Sequence, residues 1–248
     1  MVAHLYFRYG TMSSGKSETI ISIAKNYEIQ GKYTFIIGYK QEDRVFKEDD
    51  INCSLKFQNH QNQDKEYEKD CNCELYKCAS YETKYHHKGD TKIFSRNGKS
   101  LVVDLAFDND TDIQKSFYKK QKKLKKNHTA TSCILVDEAQ FLTTKQVYEL
   151  ARLVDEEHIP VIAYGLKTDF RGVMFEGSYA LLSLADKIEE HKNVCWYCQK
   201  KAIMQIRLDK NNTPTFSGDQ ISIGFQYLPV CRKHWMDAYT KWLKMGEN

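Results

Sequence analysis

His4-Leu5-Tyr6-Phe7-Arg8-Tyr9 leads straight into Gly10-Thr11-Met12-Ser13-Ser14-Gly15-Lys16-Ser17, and Ile20, Ile21, Ala24 and Tyr27 follow at helical spacing. A strand, a G-x-x-x-x-G-K-S loop and a helix in that order make a phosphate-binding loop. Gly10 and Gly15 permit backbone conformations closed to other residues, so the loop through Ser13 and Ser14 can aim its N–H groups at one anion. The helix turns its positive end to the same place. Lys16 is expected to reach the β- and γ-phosphates, and the Ser17 hydroxyl to ligate Mg²⁺. The chain is therefore expected to bind a nucleoside triphosphate.

The surrounding pattern fits that loop. Runs with strand character recur at 33–38, 100–103, 133–136 and 160–164, with helical patterns between several of them. Gly31 reads as the stop of the first helix. Thr143 and Gln146 form a capping-box pair, ahead of an apolar face of Val147, Leu150, Ala151 and Val154. Alternating strands and helices predict an α/β fold of the P-loop NTPase, recombinase-like kind, a mostly parallel sheet with helices on both faces. Cys133-Ile134-Leu135-Val136 reads as a buried strand with Asp137 and Glu138 at its carboxyl end, the edge where such sheets bind ligands. Asp137 is expected to orient Mg²⁺. Glu138 is then available to accept a proton from an attacking hydroxyl as general base. Asp137-Glu138-Ala139-Gln140 also resembles the second box of DExx helicases, so the alternative is a helicase-like P-loop ATPase with a zinc ribbon. Against it, helicases need two recombinase-like domains, and too little chain follows Gln140 for a second.

Composition bounds the remaining choices. The chain has 248 residues, 41% of them hydrophobic and 28% charged, which suits a soluble protein with one large domain and a small one. No stretch approaches the ~18 apolar residues of a membrane span. Arg8 interrupts the opening apolar run, so no signal peptide is expected and the setting is cytoplasmic. The eight cysteines then read as thiols or metal ligands. The net charge of +4 owes much to the run from Lys115 to Lys126. Ile113, Phe117 and Leu124 give that run helical spacing, and a solvated basic helix face, not nucleic-acid binding, is the expectation. Residues 46–95 are polar and nearly without aliphatic periodicity, an insert that is functional or loosely structured. Its Cys53, Cys71, Cys73 and Cys78, with His60, His86 and His87, are irregularly spaced and read as free side chains. Past about 195 the chain turns to short strand-like pieces, so the boundary is drawn between a nucleotide-binding domain at 1–192 and a small domain at 193–248.

Cys195-Trp196-Tyr197-Cys198 and Cys231-Arg232-Lys233-His234 give C-x-x-C and C-x-x-H. Four N/S ligands suit tetrahedral Zn²⁺ and leave no open position, so the ion is expected to be structural. The stretch between the pairs must hold a hairpin and a loop, with Asn211-Asn212-Thr213-Pro214 as a turn.

Together these residues resemble the thymidine kinases of the cytosolic, zinc-containing type. The resemblance rests on Gly10 to Ser17, Glu42-Asp43-Arg44, Asp137-Glu138-Ala139-Gln140-Phe141, the segment from Tyr164 to Gly172, and the two zinc pairs. It implies phosphoryl transfer from ATP to the 5′-hydroxyl of thymidine or deoxyuridine. Glu138 is the implied base, and Lys16, Ser17, Asp137 and Gln140 serve ATP and Mg²⁺. Arg44 and Arg207 are implied to steady the transferring phosphate. Met12, Phe141, Leu166 and Phe170 are implied to enclose the thymine ring. Ile223, Gly224 and Tyr227 belong to a lasso, about residues 209–227, that closes over the base. A homotetramer and inhibition by thymidine triphosphate are implied likewise. This chain departs from the family pattern at Ile223-Gly224-Phe225-Gln226-Tyr227, which is shorter and lacks a second glycine.

Overall fold

The structure is a computed structural model and describes residues 2–40, 91–95, 98–125, 130–209, 211–220 and 225–246. Glu42, Asp43, Arg44, Ile223, Gly224 and the cysteines and histidines of the polar insert lie outside the described residues.

The strand that opens the chain, β1, spans Leu5–Gly10, and the helix after the loop, α1, spans Lys16–Ile29. Then come β2 (Tyr33–Tyr39), β3 (Lys92–Phe94), β4 (Ser100–Val102), β5 (Leu105–Phe107), α2 (Ile113–Lys125), β6 (Thr131–Val136) and α3 (Thr144–Glu157). The order continues with β7 (Val161–Gly165), α4 (Glu176–Leu184), β8 (Lys187–His191), β9 (Met204–Leu208), β10 (Pro214–Thr215), β11 (Gln226–Val230) and α5 (Arg232–Gly246).

Six strands form the main sheet in the order β5-β2-β6-β7-β1-β8, and every neighbouring pair is parallel. Side chains that alternate along its strands supply two cores, as the pleat requires. Phe35, Ile37, Ile134 and Val136 face one way, toward Ile113 and Phe117 of α2, Val147 and Leu150 of α3, and Leu181 of α4. Ile36, Cys133 and Leu135 face the other way, toward Ile20, Ile21 and Ala24 of α1. Helices therefore cover both faces, as the alternating pattern predicts. The capping box forms: Thr143 Oγ1 accepts Gln146 N–H at 3.3 Å, and Gln146 Oε1 accepts Thr143 N–H at 3.0 Å.

Several elements differ from the sequence reading. Ser100–Val102 is a strand, but it pairs antiparallel with β3 instead of joining the main sheet. The edge strands β5 and β8 carry no strand signature of their own. In β8 the pattern is Lys187-Ile188-Glu189-Glu190-His191, and its charges are matched by neighbours: Arg8 Nε donates to Glu189 Oε2 at 2.5 Å, and Lys201 Nζ to Glu190 Oε2 at 2.6 Å. The basic helix is as expected, except that Gln121 is buried with Ile113 and Phe117. β7 and β8 extend the first sheet, so the chain after Gln140 builds no second recombinase-like domain among the described residues. No helix among them is long and apolar enough to cross a membrane.

The C-terminal region is more ordered than short pieces and cysteines. It holds an antiparallel sheet, β10-β9-β11, and the fifteen-residue helix α5. The expected turn forms between β9 and β10, where Asp209 Oδ1 accepts the N–H groups of Asn211 at 2.8 Å and Thr213 at 2.9 Å. Phe216 packs edge-on against Trp235 and Tyr239, with ring centroids 5.4 and 5.1 Å apart, and Trp235 stacks on Tyr239.

Candidate active site

The phosphate loop sits at the carboxyl end of β1, between β7 and β8 in the sheet. Gly10 has no room for a side chain: a Cβ there would lie 2.5 Å from Ser14 Oγ and 2.8 Å from the His191 carbonyl oxygen. Gly15 is the N-cap of α1 at φ 83°, and Ser13 is also left-handed at φ 63°. Such turns make a concave nest of N–H groups at a helix N-terminus, the geometry that receives phosphate. Lys16 Nζ rests on the Thr11 carbonyl oxygen at 2.8 Å and near Ser14 Oγ at 3.4 Å.

The next-but-one strand brings the acids. Asp137 follows β6, buried, and its Oδ2 accepts the Ser17 hydroxyl at 3.1 Å. Burial pushes the Asp137 carboxyl up, and the neighbouring Glu138 charge adds to this. The Glu138 N–H, the Ser17 hydroxyl and Lys16 pull it back. A hydroxyl and a carboxylate side by side are hard oxygen donors, so this pair fits Mg²⁺ by chemistry. Glu138 itself is left-handed, at φ 53° and ψ 37°. For a non-glycine residue that conformation costs about 1–3 kcal/mol and clusters at functional positions. Gln140 Nε2 donates to Glu138 Oε2 at 2.6 Å, while Gln140 Oε1 accepts the Leu166 N–H at 3.0 Å. Gln140 thus ties the carboxylate to the segment after β7.

That segment carries two of the expected base-binding residues. Leu166 is 9% exposed and Phe170 is 1% exposed. Phe141 lies beside Gln140 and packs on Tyr39 and Phe175, with centroids 4.6 and 5.7 Å away. Met12 reaches the same neighbourhood through Gln205, whose Oε1 accepts the Met12 N–H at 3.4 Å and whose Nε2 donates to the Thr168 carbonyl at 2.7 Å. Tyr227 on β11 stands 6.4 Å from Phe170, ring to ring.

Arg207, expected at the phosphate, lies on β9 and reaches into the lasso. Its guanidinium stacks 3.8 Å over Phe170 and 4.6 Å from Phe225, donates through NH1 to the Asp219 carbonyl at 3.0 Å, and donates through NH2 to the Ser217 carbonyl. Sequence reasoning also passed over Asp169, a buried carboxylate that accepts from Arg171 Nε and from the Arg171 and Val173 N–H groups, each at 2.9 Å. Its place between two residues already singled out, Leu166 and Phe170, was the available clue.

Cys195, Cys198, Cys231 and His234 bring their ligand atoms within 4.8 Å of one another. Cys198 and Cys231 sulfurs are 3.9 Å apart, and His234 Nδ1 is 3.3 Å from the sulfurs of both Cys195 and Cys231. Tetrahedral Zn²⁺ with Zn–S near 2.3 Å needs sulfurs about 3.8 Å apart, so the set fits the ion. Burial alone would raise the Cys195 thiol, but N–H groups of Cys231 and Tyr197 and the His234 ring outweigh it and bring it down to about 6. A thiol so placed readily becomes the thiolate that zinc binds.

Against known proteins, a family model described as thymidine kinase matches residues 3–87 and 64–235. A thymidine kinase of Lactococcus lactis is 38% identical over 236 residues, covering 94% of this chain and 97% of its own. One from Streptococcus thermophilus is 38% identical over 238 residues, 95% of each chain. One from Streptococcus gordonii is 39% identical over 236 residues, 94% of this chain and 96% of its own. Among solved structures, the ATPase domain of another protein is a distant likeness, with a TM-score of 0.40 and 13% identity over 75% of this chain and 68% of that one.

Proposed function

The chain belongs to the thymidine kinase family, and from that premise we propose which of its residues carry the transfer of a phosphoryl group from ATP to the 5′-hydroxyl of thymidine. The observation that carries the reading is the 3.1 Å bond from Ser17 to Asp137, which joins the phosphate loop to the acidic strand end. Glu138, next in the chain, accepts the 5′-hydroxyl proton as that oxygen attacks the γ-phosphorus. The bond from the γ-phosphorus to the β–γ bridging oxygen breaks, and ADP leaves. The N–H nest from Gly10 to Gly15 and the Lys16 ammonium stabilise charge on the phosphoryl oxygens. Ser17 and Asp137, with Gln140 nearby, would hold Mg²⁺, which neutralises the phosphates when bound.

Met12, Phe141, Leu166 and Phe170 wall the base, since a flat apolar ring favours aromatic and thioether neighbours. Ile223, Gly224 and Tyr227 belong to the lasso that covers it. Arg44 and Arg207 are the proposed phosphate arginines, and Arg207 would first release the Ser217 and Asp219 carbonyls. Zinc on the three cysteines and His234 anchors the lasso at its foot. We assign nucleotide chemistry to residues 1–192 and the lasso to 193–248. By family resemblance we further propose a cytoplasmic homotetramer that also accepts deoxyuridine.

Phosphorylation of thymidine, deoxyuridine and deoxycytidine with Mg·ATP, side by side, tests the substrate reading. A positioned base contributes about 10²–10⁴ in rate. Glu138→Gln should therefore lower kcat by that order with thymidine affinity within about twofold, and unchanged kcat removes Glu138 from the role.

A further inference from the structure

Two side-chain amides cross from the zinc side of the molecule to the phosphate loop. Asn193 lies two residues before Cys195. Its Oδ1 accepts the Val194 N–H at 2.8 Å, which settles which way the amide faces. Its Nδ2 then points at the loop and donates to Thr11 Oγ1 at 3.2 Å and to the Met12 carbonyl at 3.1 Å. Gln205, 3% exposed on β9, accepts the Met12 N–H and donates to the Thr168 carbonyl. Both backbone polar groups of Met12 are thus held from the zinc side. The Thr11 carbonyl, one peptide back, is where Lys16 Nζ rests.

The two amides are fixed at their own ends. The Asn193 carbonyl accepts the Ala202 N–H at 2.8 Å, closing the knuckle that carries Cys195 and Cys198, and the Cys195 N–H bonds the Lys200 carbonyl at 2.8 Å. Gln205 lies in register with Pro229, two residues from Cys231. A shift of the zinc frame therefore moves both amides, and with them Thr11 and Met12.

We propose that Asn193 and Gln205 are positioning residues that set the shape of the phosphate loop from the zinc lobe, so that occupancy of the nucleoside loop and binding of ATP are coupled through Thr11 and Met12. Gln205 makes the second connection, because Thr168 precedes Phe170 in the base-binding segment. Neither amide touches a reacting atom. The inference rests on the reading of residues 10–17 as the ATP site.

The test uses the full zinc-loaded chain and the variants Asn193→Ala, Asn193→Asp, Gln205→Leu and the Asn193→Ala/Gln205→Leu pair. Zinc content, thymidine KM, kcat and affinity for a non-hydrolysable ATP analogue, with and without thymidine, are measured for each. Loss of one or two hydrogen bonds of this kind is worth about tenfold in an equilibrium. Asn193→Ala and Gln205→Leu should each weaken analogue binding by about that factor, with zinc content full and thymidine KM within about twofold. Asn193→Asp keeps the Val194 bond but sets a carboxylate oxygen against the Met12 carbonyl, so it should be at least as impaired. The change in analogue affinity caused by thymidine should vanish in the double variant.

Analogue affinity and thymidine response equal to wild type in the zinc-loaded single variants would overturn the proposal. So would zinc loss in every variant, which would make the amides props of the zinc lobe alone. If Asn193→Ala alone loses zinc, Asn193→Asp and Gln205→Leu decide. Failure of the wild-type chain to bind the analogue would instead strike the reading of the loop as the ATP site.

Discussion

The regions on either side of Asn193 hold together by different means. The first buries whole strands between helices, with Phe7, Phe35, Phe107, Phe117 and Ile134 almost without exposure. The second has, among the described residues, one apolar cluster around Ile206, Phe216, Leu228 and Trp235, and two members of that cluster are the proposed metal ligands Cys195 and Cys231. A region that small rarely buries enough apolar surface to stand unaided, and a bound structural metal would supply the difference. The sheet therefore gives the phosphate loop a rigid base, whereas the proposed covering loop would depend on the proposed ion. On the proposed reading, the contrast assigns precise electrostatics to the part that does chemistry and adjustable closure to the part that admits substrate.

Metal removal should break the contrast most strongly. Structural Zn²⁺ in isolated fingers contributes about 10–16 kcal/mol of apparent binding free energy, far more than any single side chain here can offset. The three tryptophans, Trp196, Trp235 and Trp242, all lie past Asn193, so their fluorescence reports mainly on that region. Chelation, or Cys231→Ser, should red-shift that emission and raise the thymidine KM, while far-ultraviolet circular dichroism keeps the helical signal of the sheet region. Trp235 Nε1 bonds the Phe170 carbonyl at 2.9 Å, so the base wall should loosen with it. Simultaneous loss of both signals would mean that the sheet also depends on zinc. An unchanged emission would mean that the metal holds nothing.

A cavity in the sheet region should do the reverse. Leu135 is fully buried among Ile20, Ile21, Ile36 and Tyr164. Leu135→Ala should cost about 2–5 kcal/mol, by lost burial and the void left behind. Urea unfolding followed by circular dichroism should show the loss, with zinc content unaltered in the native state. A cost below about 1 kcal/mol would show that α1 collapses onto the space, and the sheet would be softer than its burial implies.

How far each region is legible in the sequence follows the range of the interactions that form it. The phosphate loop, Asp137 with Glu138, and the Thr143–Gln146 box are written in residues a few positions apart, and local chemistry decodes them. The Cys/His cluster is legible because two C-x-x-ligand pairs have few other uses. β5 and β8 are strands because β2 and β1 offer free edges, a fact that lies elsewhere in the chain. Helix α5 was legible in principle, since Trp235, Tyr239 and Trp242 recur at helical spacing, but aromatic residues near zinc ligands suggest strands equally well. Asn193 and Gln205 meet the phosphate loop across most of the chain's length, and no nearby residue hints at either contact. Arg207 meets Phe170 at long range too, whereas Arg171 and Val173, the partners of Asp169, are close in the chain and were within reach of the sequence.

The mildest expected effect lies at the junction itself. His191 ends β8 with its ring beside Tyr164, 5.7 Å between centroids, and with Nδ1 3.5 Å from the Ser14 carbonyl. Burial holds its pKa below the ordinary histidine value, and the positive charges of Lys16 on α1 and Arg8 on β1 lower it further, against the Ser14 carbonyl and Glu189. A base with a depressed folded value takes up its proton more readily when unfolded. Its neutral form therefore supports the fold above the ordinary value of about 6.5, and that support drains away as the pH falls below it. His191→Gln keeps a polar side chain at the Ser14 carbonyl but cannot titrate. Melting temperature should fall less steeply between about pH 7 and pH 5 in the variant than in wild type. The difference should be small, because the ring is partly exposed and solvent screens it. Parallel curves would show that the acid sensitivity of the fold lies elsewhere and that the junction does not sense pH through His191.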